Sequence, residues 1–358
     1  MSHAPDWTPR TRVPLRRLQI ERCNVSKLID VHTHVTPYQF PECPGEPFAS
    51  KWPCMRCGSN VEATLMIGDR PFRQLDDRSW DLARRLTDMD RDGVDVQVLS
   101  PMPELLSYWL DLAGAEIICD HVNAQIAGMV SASPSRFTGL GALPLQNPAG
   151  SGRYLERIRS EFGLIGVEIG SNINGHLLGE RMFDPFWEAA ESLNMAVFVH
   201  ALHPVATKSL DVTPTYTAFA GFPIDVAMSA ASMMLNGTLQ RYPKLRVAFS
   251  HGGGALTAIL GRLDRGWTAT GGYGIEGLEA PSIQAARFFY DSNVYDAHGL
   301  SSLATGMAPG HVFAGTDYPY LIQQEELDAY LRATHLGQQA LDDLREGAAR
   351  RFLNTTFE

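Results

Sequence analysis

The sequence of 358 residues lacks an uninterrupted apolar run long enough to cross a bilayer. Its N-terminal arm, residues 1–27, carries Arg10, Arg12, Arg16 and Arg17 but no apolar segment followed by a small-residue cleavage site. We interpret this stretch as an arm and not as a signal peptide. We therefore expect a cytoplasmic protein with no membrane partner.

The chain also has fewer basic than acidic residues, with 30 Lys and Arg and 40 Asp and Glu, so its formal net charge is -10. No stripe of Lys and Arg interrupts this balance, which argues against nucleic acid as a partner.

Cysteine is rare as well. The chain has five cysteines, an odd number with irregular spacing, which fits a reducing compartment better than a disulfide framework. Cys54 and Cys57 have the spacing of half a zinc site, but no second pair completes it nearby, so we interpret them as loop thiols.

Short apolar strands alternate with helical segments along most of the chain, which predicts a parallel α/β sheet. Eight such strands can close into a (β/α)8 TIM barrel, although an open sheet would give the same alternation. The predicted strands cover residues 28–34, 94–100, 137–144, 165–170, 195–200, 246–251, 288–292 and 312–317.

The first of these strands ends in His32-Thr33-His34. Residues i and i+2 of a strand point to the same side, so the two imidazoles can meet one metal ion. Four later strands also end in a residue that can bind a metal, namely Glu168, His200, His251 and Asp317. Because all strand ends meet at one mouth in a barrel, this pattern favours a barrel over an open sheet.

A Pro- and Gly-rich interval, residues 37–78, follows the first strand and is too rich in proline to be a regular helix. We interpret it as an insertion over the site, with a short hairpin at residues 61–72. The rest of the chain, residues 28–358, forms one domain in this interpretation.

Several segments together resemble the amidohydrolase superfamily, specifically the amidohydrolase-related branch that contains aminocarboxymuconate-semialdehyde decarboxylase. The resemblance extends from Ile29 to Phe352. Its carriers are Asp30 to His34, Phe72-Arg73, Gly139 to Pro144, Val199-His200, His251 to Gly254 with Gly261-Arg262, and Gly315 to Pro319.

The resemblance implies that His32, His34 and Asp317 hold one divalent metal. It implies that His200 and His251 hold a second ion or serve as ligand and acid/base group. It also implies a homodimer, and a substrate contact for Arg73 unless this residue is an ordinary surface charge. We assign His203 near the fifth strand end to the substrate site as well.

The chain departs from the decarboxylase pattern at three places. The histidine of strand five is followed by Ala201-Leu202-His203-Pro204 and not by Pro-Trp, and Thr270 stands where a clamping arginine is expected. Glu168 stands where the decarboxylase has glutamine. In hydrolytic members of the superfamily, a carboxylate on strand four bridges two metals.

Glu168 completes a binuclear ligand set, so we expect a hydrolase that cleaves an ester, thioester, amide or lactone of a small molecule. A hydroxide bridging two zinc, iron or manganese ions would attack the carbonyl, and Asp317 would relay its proton. The first alternative is a mononuclear, non-oxidative decarboxylase of a conjugated or aromatic acid, with His251 as acid/base group. The second is a catalytically silent barrel, against which the intact ligand set argues.

Overall fold

The computed structural model describes residues 26–59 and 61–357. Most of the N-terminal arm, residues 1–25, lies outside these ranges. Eight of the described strands form one parallel sheet in the order β1 to β8. They are β1 Ile29–Val35, β2 Val96–Pro101, β3 Phe137–Gly141, β4 Gly166–Gly170, β5 Ala196–His200, β6 Arg246–Phe249, β7 Phe289–Asp291 and β8 Val312–Phe313.

The sheet closes on itself between β1 and the segment after β8. Val31 donates its backbone N–H to the carbonyl of Ala314 (2.9 Å), and His34 donates to the carbonyl of Tyr318 (2.8 Å). A parallel bridge joins Thr33 to Tyr318. The predicted (β/α)8 barrel is therefore confirmed.

Helices connect the strands because a parallel pair needs a long crossover connection. The larger ones are Leu82–Asp92, Leu112–Ala132, Ser151–Ser160, Asp184–Ser192, Pro214–Leu235 and Leu256–Thr270. The shorter ones are Thr238–Arg241, Pro281–Ala285, Ala297–Ser302, Leu327–Arg332, Gln338–Asp342 and Ala348–Leu353.

Two separate apolar clusters reflect the two faces of the barrel strands. The inner cluster includes Val31, Phe198 and Phe313, and the outer cluster lies between the strands and the helices. Side chains that alternate along each strand therefore enter one cluster or the other.

The insertion after β1 contains a three-stranded antiparallel sheet of Pro53–Cys57, Glu62–Ile67 and Arg70–Asp76. The last two strands form the predicted hairpin, and the first was not predicted. A small hairpin, Asn172–Ile173 with His176–Leu177, follows β4.

One helix among the described residues, Pro214–Leu235, is long and apolar enough to cross a bilayer by length and composition alone. A core helix passes the same test, and 56% of the relevant stretch is buried within the fold. This helix is weak evidence for a membrane span, and the cytoplasmic location stays a prediction.

Candidate metal centre

A β-bulge in β1 directs the first two histidines into the barrel. The register of β1 against β2 shifts between Asp30 and Thr33, where β1 has one residue more than its partner. Val31 lies in the inner apolar cluster, so a regular alternation would turn His32 and His34 outward. The extra residue changes the phase and places both imidazoles on the inner side.

These imidazoles meet the carboxylate of Asp317 at the C-terminal mouth of the barrel. The Nε2 atoms of His32 and His34 lie 3.1 Å apart, and Oδ1 of Asp317 lies 3.2 Å from the first and 3.1 Å from the second. The Nε2 atoms of His200 and His251 each lie 4.0 Å from an oxygen of Asp317. One ligand atom each of His32, His200, His251 and Asp317 lie within 4.8 Å of one another.

In three of the four histidines, Nδ1, the ring nitrogen that points away from the cluster, makes a hydrogen bond to a neighbouring group. Nδ1 of His32 donates to Oδ2 of Asp291 (2.6 Å), and Nδ1 of His34 donates to the carbonyl of Pro101 (2.9 Å). Nδ1 of His200 faces the carbonyl of Ala201 at 2.9 Å. In the neutral form that binds a metal, a proton on Nδ1 leaves the lone pair of Nε2 directed at the centre of the cluster.

His251 differs from these three. Its buried Nδ1 has no hydrogen-bond partner among the described residues, so no contact fixes its tautomer. Its backbone is left-handed, with φ at 56°, at the start of a turn formed by Gly252, Gly253 and Gly254. The side chain also lines a cavity at the mouth of the barrel.

The charges of the cluster depend on one another. Burial opposes a charge on His32, but Asp317 and Asp291 outweigh it and raise the pKa of His32 to about 10. Burial also opposes ionisation of Asp317, but His32 and His34 hold the pKa of its carboxyl well below its usual range. Burial lowers the pKa of His200, and the neighbouring imidazoles lower it further. A cation at the centre can replace the positive charge of His32.

Asp291, the last residue of β7, is a site residue that our sequence analysis missed. It is fully buried and contacts His32 directly. It stands at the end of a short apolar strand, as the predicted ligands do. The search for metal-binding residues at strand ends would therefore also have identified Asp291.

Glu168 lies inside the barrel on β4, but on the wrong side of His34 to bridge two metals. Its Oε2 is 3.6 Å from Nδ1 of His34, the nitrogen that points away from the cluster. Neither of its oxygens has a hydrogen-bond partner among the described residues. Burial raises the pKa of Glu168 well above its usual range, although the charge of His32 opposes this. Its position beside the outward nitrogen of His34 therefore does not fit a carboxylate that bridges two metals.

A cavity of about 810 Å³ opens above the cluster. His200, His251 and Asp317 line its floor, and residues 73–76, 78 and 79 of the insertion form one wall. The insertion thus lies over the cluster, as its position after β1 led us to expect.

Arg73 lies in this wall. Its guanidinium is 4.6 Å from the ring centre of Tyr320, which in turn stacks on His34 with 5.0 Å between centroids. No carboxylate of the described residues lies within salt-bridge distance of Arg73, although Asp76 and Glu104 line the same cavity. An anionic ligand in the cavity would therefore meet an unpaired guanidinium in the wall next to Tyr320.

The structure does not bring His203 into this cavity. Its side chain is 59% exposed and pairs with Glu104 at 3.1 Å, and that carboxylate raises the pKa of His203. Because His203 does not line the cavity, the structure does not support its assignment to the substrate site.

Cys54 and Cys57 are exposed free thiols on the first strand of the insertion sheet. Residues i and i+3 of a strand point to opposite faces, so these two thiols cannot share one zinc ion in this conformation.

The donor atoms fit a divalent metal. Imidazole and carboxylate ligands suit zinc, manganese and iron. Buried Nε2 of His200 and Oδ1 of Asp317 have no hydrogen-bond partner among the described residues, and both face the cluster. A divalent ion would satisfy these atoms.

Comparisons with known proteins bear on this site. The amidohydrolase family Amidohydro_2 matches residues 29–355. The 2-amino-3-carboxymuconate-6-semialdehyde decarboxylase of Dictyostelium discoideum is 35% identical over 295 residues, which cover 82% of this chain and 81% of that enzyme.

Two solved structures share the fold. The 5-carboxyvanillate decarboxylase of Sphingomonas paucimobilis superposes with a TM-score of 0.77 at 25% identity, covering 93% of this chain and all of that one. The dihydroxybenzoic acid decarboxylase of Polaromonas sp. JS666, solved with manganese and 2-nitroresorcinol, gives a TM-score of 0.72 at 20% identity. That match covers 92% of this chain and 97% of that one.

These comparisons overturn our prediction of acyl-bond hydrolysis, because the Dictyostelium relative and the Sphingomonas neighbour are named as decarboxylases. The binuclear centre is also unsupported. The donors found among the described residues form one cluster, and Glu168 is not part of it. The prediction failed because a carboxylate on strand four was taken as a bridging ligand without knowledge of the side of His34 on which it lies.

Proposed function

The chain belongs to the amidohydrolase family, and from that premise we propose that it is a metal-dependent, non-oxidative decarboxylase of a conjugated or aromatic carboxylic acid. One observation carries the proposal, namely the 35% identity over 82% of the chain to an enzyme named as a decarboxylase. The site agrees with this reaction, since the described residues form one cluster of side chains that could hold a metal, beside a cavity for a small acid.

His32, His34, His200 and Asp317 would hold a single divalent ion in this proposal. The Nδ1 anchors of the three histidines support this choice, because they leave three Nε2 lone pairs directed at the cluster. A bound ion would supply positive charge that holds an oxygen of the substrate and stabilises negative charge as the reaction proceeds. Manganese is the first ion to test, since these ligands accept it and an enzyme of the same fold was solved with it.

His251 is the proposed acid/base group, with Asp317 beside it. A proton first adds to the carbon that bears the carboxylate, which makes this carbon tetrahedral and shifts a pair of π electrons into the rest of the conjugated system. The bond to the carboxylate carbon then breaks, its electron pair restores the double bond, and carbon dioxide leaves. His251 lines the cavity, and its Nε2 lies 4.0 Å from an oxygen of Asp317, so its imidazole is placed to deliver this proton.

Arg73 is the proposed anchor for a negative group of the substrate. It has no ionic partner among the described residues and faces the cavity from the insertion. Apolar side chains such as Phe219 and Phe222 line the same cavity, and they suit a flat conjugated skeleton.

Product analysis tests the proposal. Protein purified without chelators would be loaded with Mn²⁺ and given two panels of compounds. One panel holds conjugated and aromatic acids, including the substrates named for the relatives, and the other holds matched esters, lactones and amides. We expect carbon dioxide release from at least one acid and no hydrolysis above background.

A ligand variant and a matched control make this experiment specific. His200→Asn should abolish carbon dioxide release, whereas His298→Asn, which changes an exposed histidine outside the cavity, should leave it unchanged. Hydrolysis of the acyl panel without carbon dioxide release from any acid would overturn the proposal.

A further inference from the structure

We propose that Asp291 is a positioning residue that holds two parts of the site at once, the imidazole of His32 and the backbone that carries His251. The inference rests on the metal centre of the proposed function, but it does not depend on which reaction the centre catalyses.

Four donors from three segments converge on the carboxylate of Asp291. Oδ2 accepts from Nδ1 of His32 at 2.6 Å and from the backbone N–H of His251 at 3.0 Å. Oδ1 accepts from the backbone N–H groups of Gly252 at 2.7 Å and Asn293 at 3.1 Å. The first donor belongs to β1, the next two follow β6, and the last follows β7.

The contact with His32 determines which nitrogen of that ring carries the proton. When a metal takes the place of the second proton, a carboxylate beside Nδ1 keeps the remaining proton on that atom, so the lone pair of Nε2 is available to the metal. A donor group in place of the carboxylate would favour the other tautomer, in which a proton on Nε2 blocks the metal position.

The contacts with His251 and Gly252 hold an unfavourable backbone. His251 has φ of 56° and Gly252 has φ of 61°, and a side chain rarely tolerates this region. Two successive N–H groups that point at one anion offset this cost, as in other anion-binding turns. Gly252 cannot be replaced easily, since a Cβ there would lie 2.2 Å from Val294.

Asp291 is fully buried, and the ionic contact found for it among the described residues is the one with His32. A buried carboxylate is costly unless its oxygens are satisfied. Here all the hydrogen bonds that satisfy it come from residues at the mouth of the barrel. The carboxylate is therefore tied to the metal centre more closely than to the surrounding core.

Asp291→Asn tests this role because it preserves shape. Either orientation of the amide sets an NH₂ group against N–H donors, so His32 and the His251 turn cannot both keep their present contacts. We expect the Kd for Mn²⁺, measured from the electron paramagnetic resonance signal of free Mn²⁺ without substrate, to rise about 10- to 100-fold.

Asp225→Asn is the matched control. Asp225 is also fully buried and accepts from Ser171, Asn172 and the backbone of Val205, but it does not contact His32 or His251. We expect it to lower the melting temperature while the Kd for Mn²⁺ stays within about twofold of the wild type. A wild-type Kd in Asp291→Asn, or an equal loss of affinity in both variants, would overturn the inference.

A measurement on the wild type covers the case in which Asp291→Asn does not fold. Nitrogen-15 spectra of histidine-labelled protein with Zn²⁺ would report the tautomer of His32, assigned by the signal that His32→Gln removes. We expect the proton on Nδ1, and a proton on Nε2 would contradict the proposal. Neither readout depends on decarboxylation, so failure of the proposed reaction would be recognised separately.

Discussion

Glu168 is a buried carboxyl group that lies beside the metal centre without belonging to its donor cluster. The group is buried beside His34, and no Lys or Arg among the described residues pairs with it. The raised pKa of Glu168 means that the neutral form is preferred over a wider pH range than usual. A neutral carboxylic acid can support the wall of a metal site without binding the metal.

Glu168→Gln should therefore retain the metal. Glutamine resembles the protonated acid, so we expect one ion per chain in both the wild type and the variant, and a melting temperature within a few degrees of the wild type. Elemental analysis of dialysed protein measures the stoichiometry. Asp317→Asn serves as the positive control, because loss of a ligand should lower metal content severalfold. Two ions in the wild type and one in Glu168→Gln would contradict this prediction.

The role proposed for Arg73 also depends on a single side chain, since it requires one guanidinium that is free to bind the substrate. Loss of a charged hydrogen bond to a substrate carboxylate costs about 1.5–3 kcal/mol, so Arg73→Ala should lower kcat/KM about 10- to 100-fold, mainly through KM. Arg73→Lys should recover part of the loss.

Arg56→Ala is the matched control for Arg73. Arg56 is exposed on the first strand of the same insertion sheet and does not line the cavity. Steady-state kinetics with the substrate found in the product analysis would make the comparison. Equal kinetics for Arg73→Ala and Arg56→Ala would mean that Arg73 is an ordinary surface charge.

At the scale of the elements, the sequence predicted all eight barrel strands because each is a short apolar run with a clear end. It predicted the hairpin of the insertion but not the strand Pro53–Cys57, which alternates weakly and contains a proline. It could not predict the bulge in β1, because a bulge depends on pairing with β2 and leaves no mark in the composition of β1. The sequence analysis correctly placed His32 and His34 on the same side of β1. Whether that side faces the interior of the barrel depends on how β1 pairs with β2.

The glycine turn after β6 can be tested as an element. Gly254 has φ of 59°, and a Cβ there would lie 2.0 Å from the carbonyl oxygen of Pro223. Because the conflict is with backbone, we expect Gly254→Ala to lower the free energy of unfolding by roughly 2 kcal/mol or more. Chemical denaturation measures this change.

Gly261→Ala is the control for Gly254→Ala. Gly261 lies in the helix Leu256–Thr270, and a Cβ there meets nothing within 4 Å. Alanine favours the helix by up to about 1 kcal/mol over glycine, so this variant should be as stable as the wild type or more stable. Equal destabilisation by both changes would mean that the turn does not require glycine at position 254.

At the scale of the whole molecule, barrel closure brings together residues that lie almost 300 positions apart in sequence, such as His32 and Asp317. The repeated position at strand ends was sufficient to predict that the histidines and Asp317 converge, although Glu168 follows the same pattern and lies outside the cluster. It was not sufficient to predict the reaction. The sequence does not show on which side of His34 the carboxylate of Glu168 lies, or which nitrogen of each histidine is hydrogen-bonded. Those details are set by contacts such as that of His34 with Pro101.

Association of the chain is the remaining prediction at this scale. We expect a homodimer, on the resemblance of the sequence and because three large apolar side chains surround the cavity mouth. Leu321 is 99% exposed, Phe219 59% and Tyr295 49%, and all three line the opening. Exposed apolar groups gathered at one place are more often covered by a partner than single ones. Light scattering at micromolar concentration should give about 79 kDa, twice the chain mass of 39.4 kDa.

A pair of surface variants locates the contact. If the mouth lies at the interface, Leu321→Ser should shift the mass towards the monomer, because it removes apolar area from the contact. Ile283→Ser, at a site 54% exposed on the helix Pro281–Ala285 and outside the cavity lining, should leave the mass unchanged. A wild-type mass near 39 kDa would contradict the dimer. A dimer that resists Leu321→Ser would place the interface elsewhere, and the apolar mouth would then be open to substrate in both subunits.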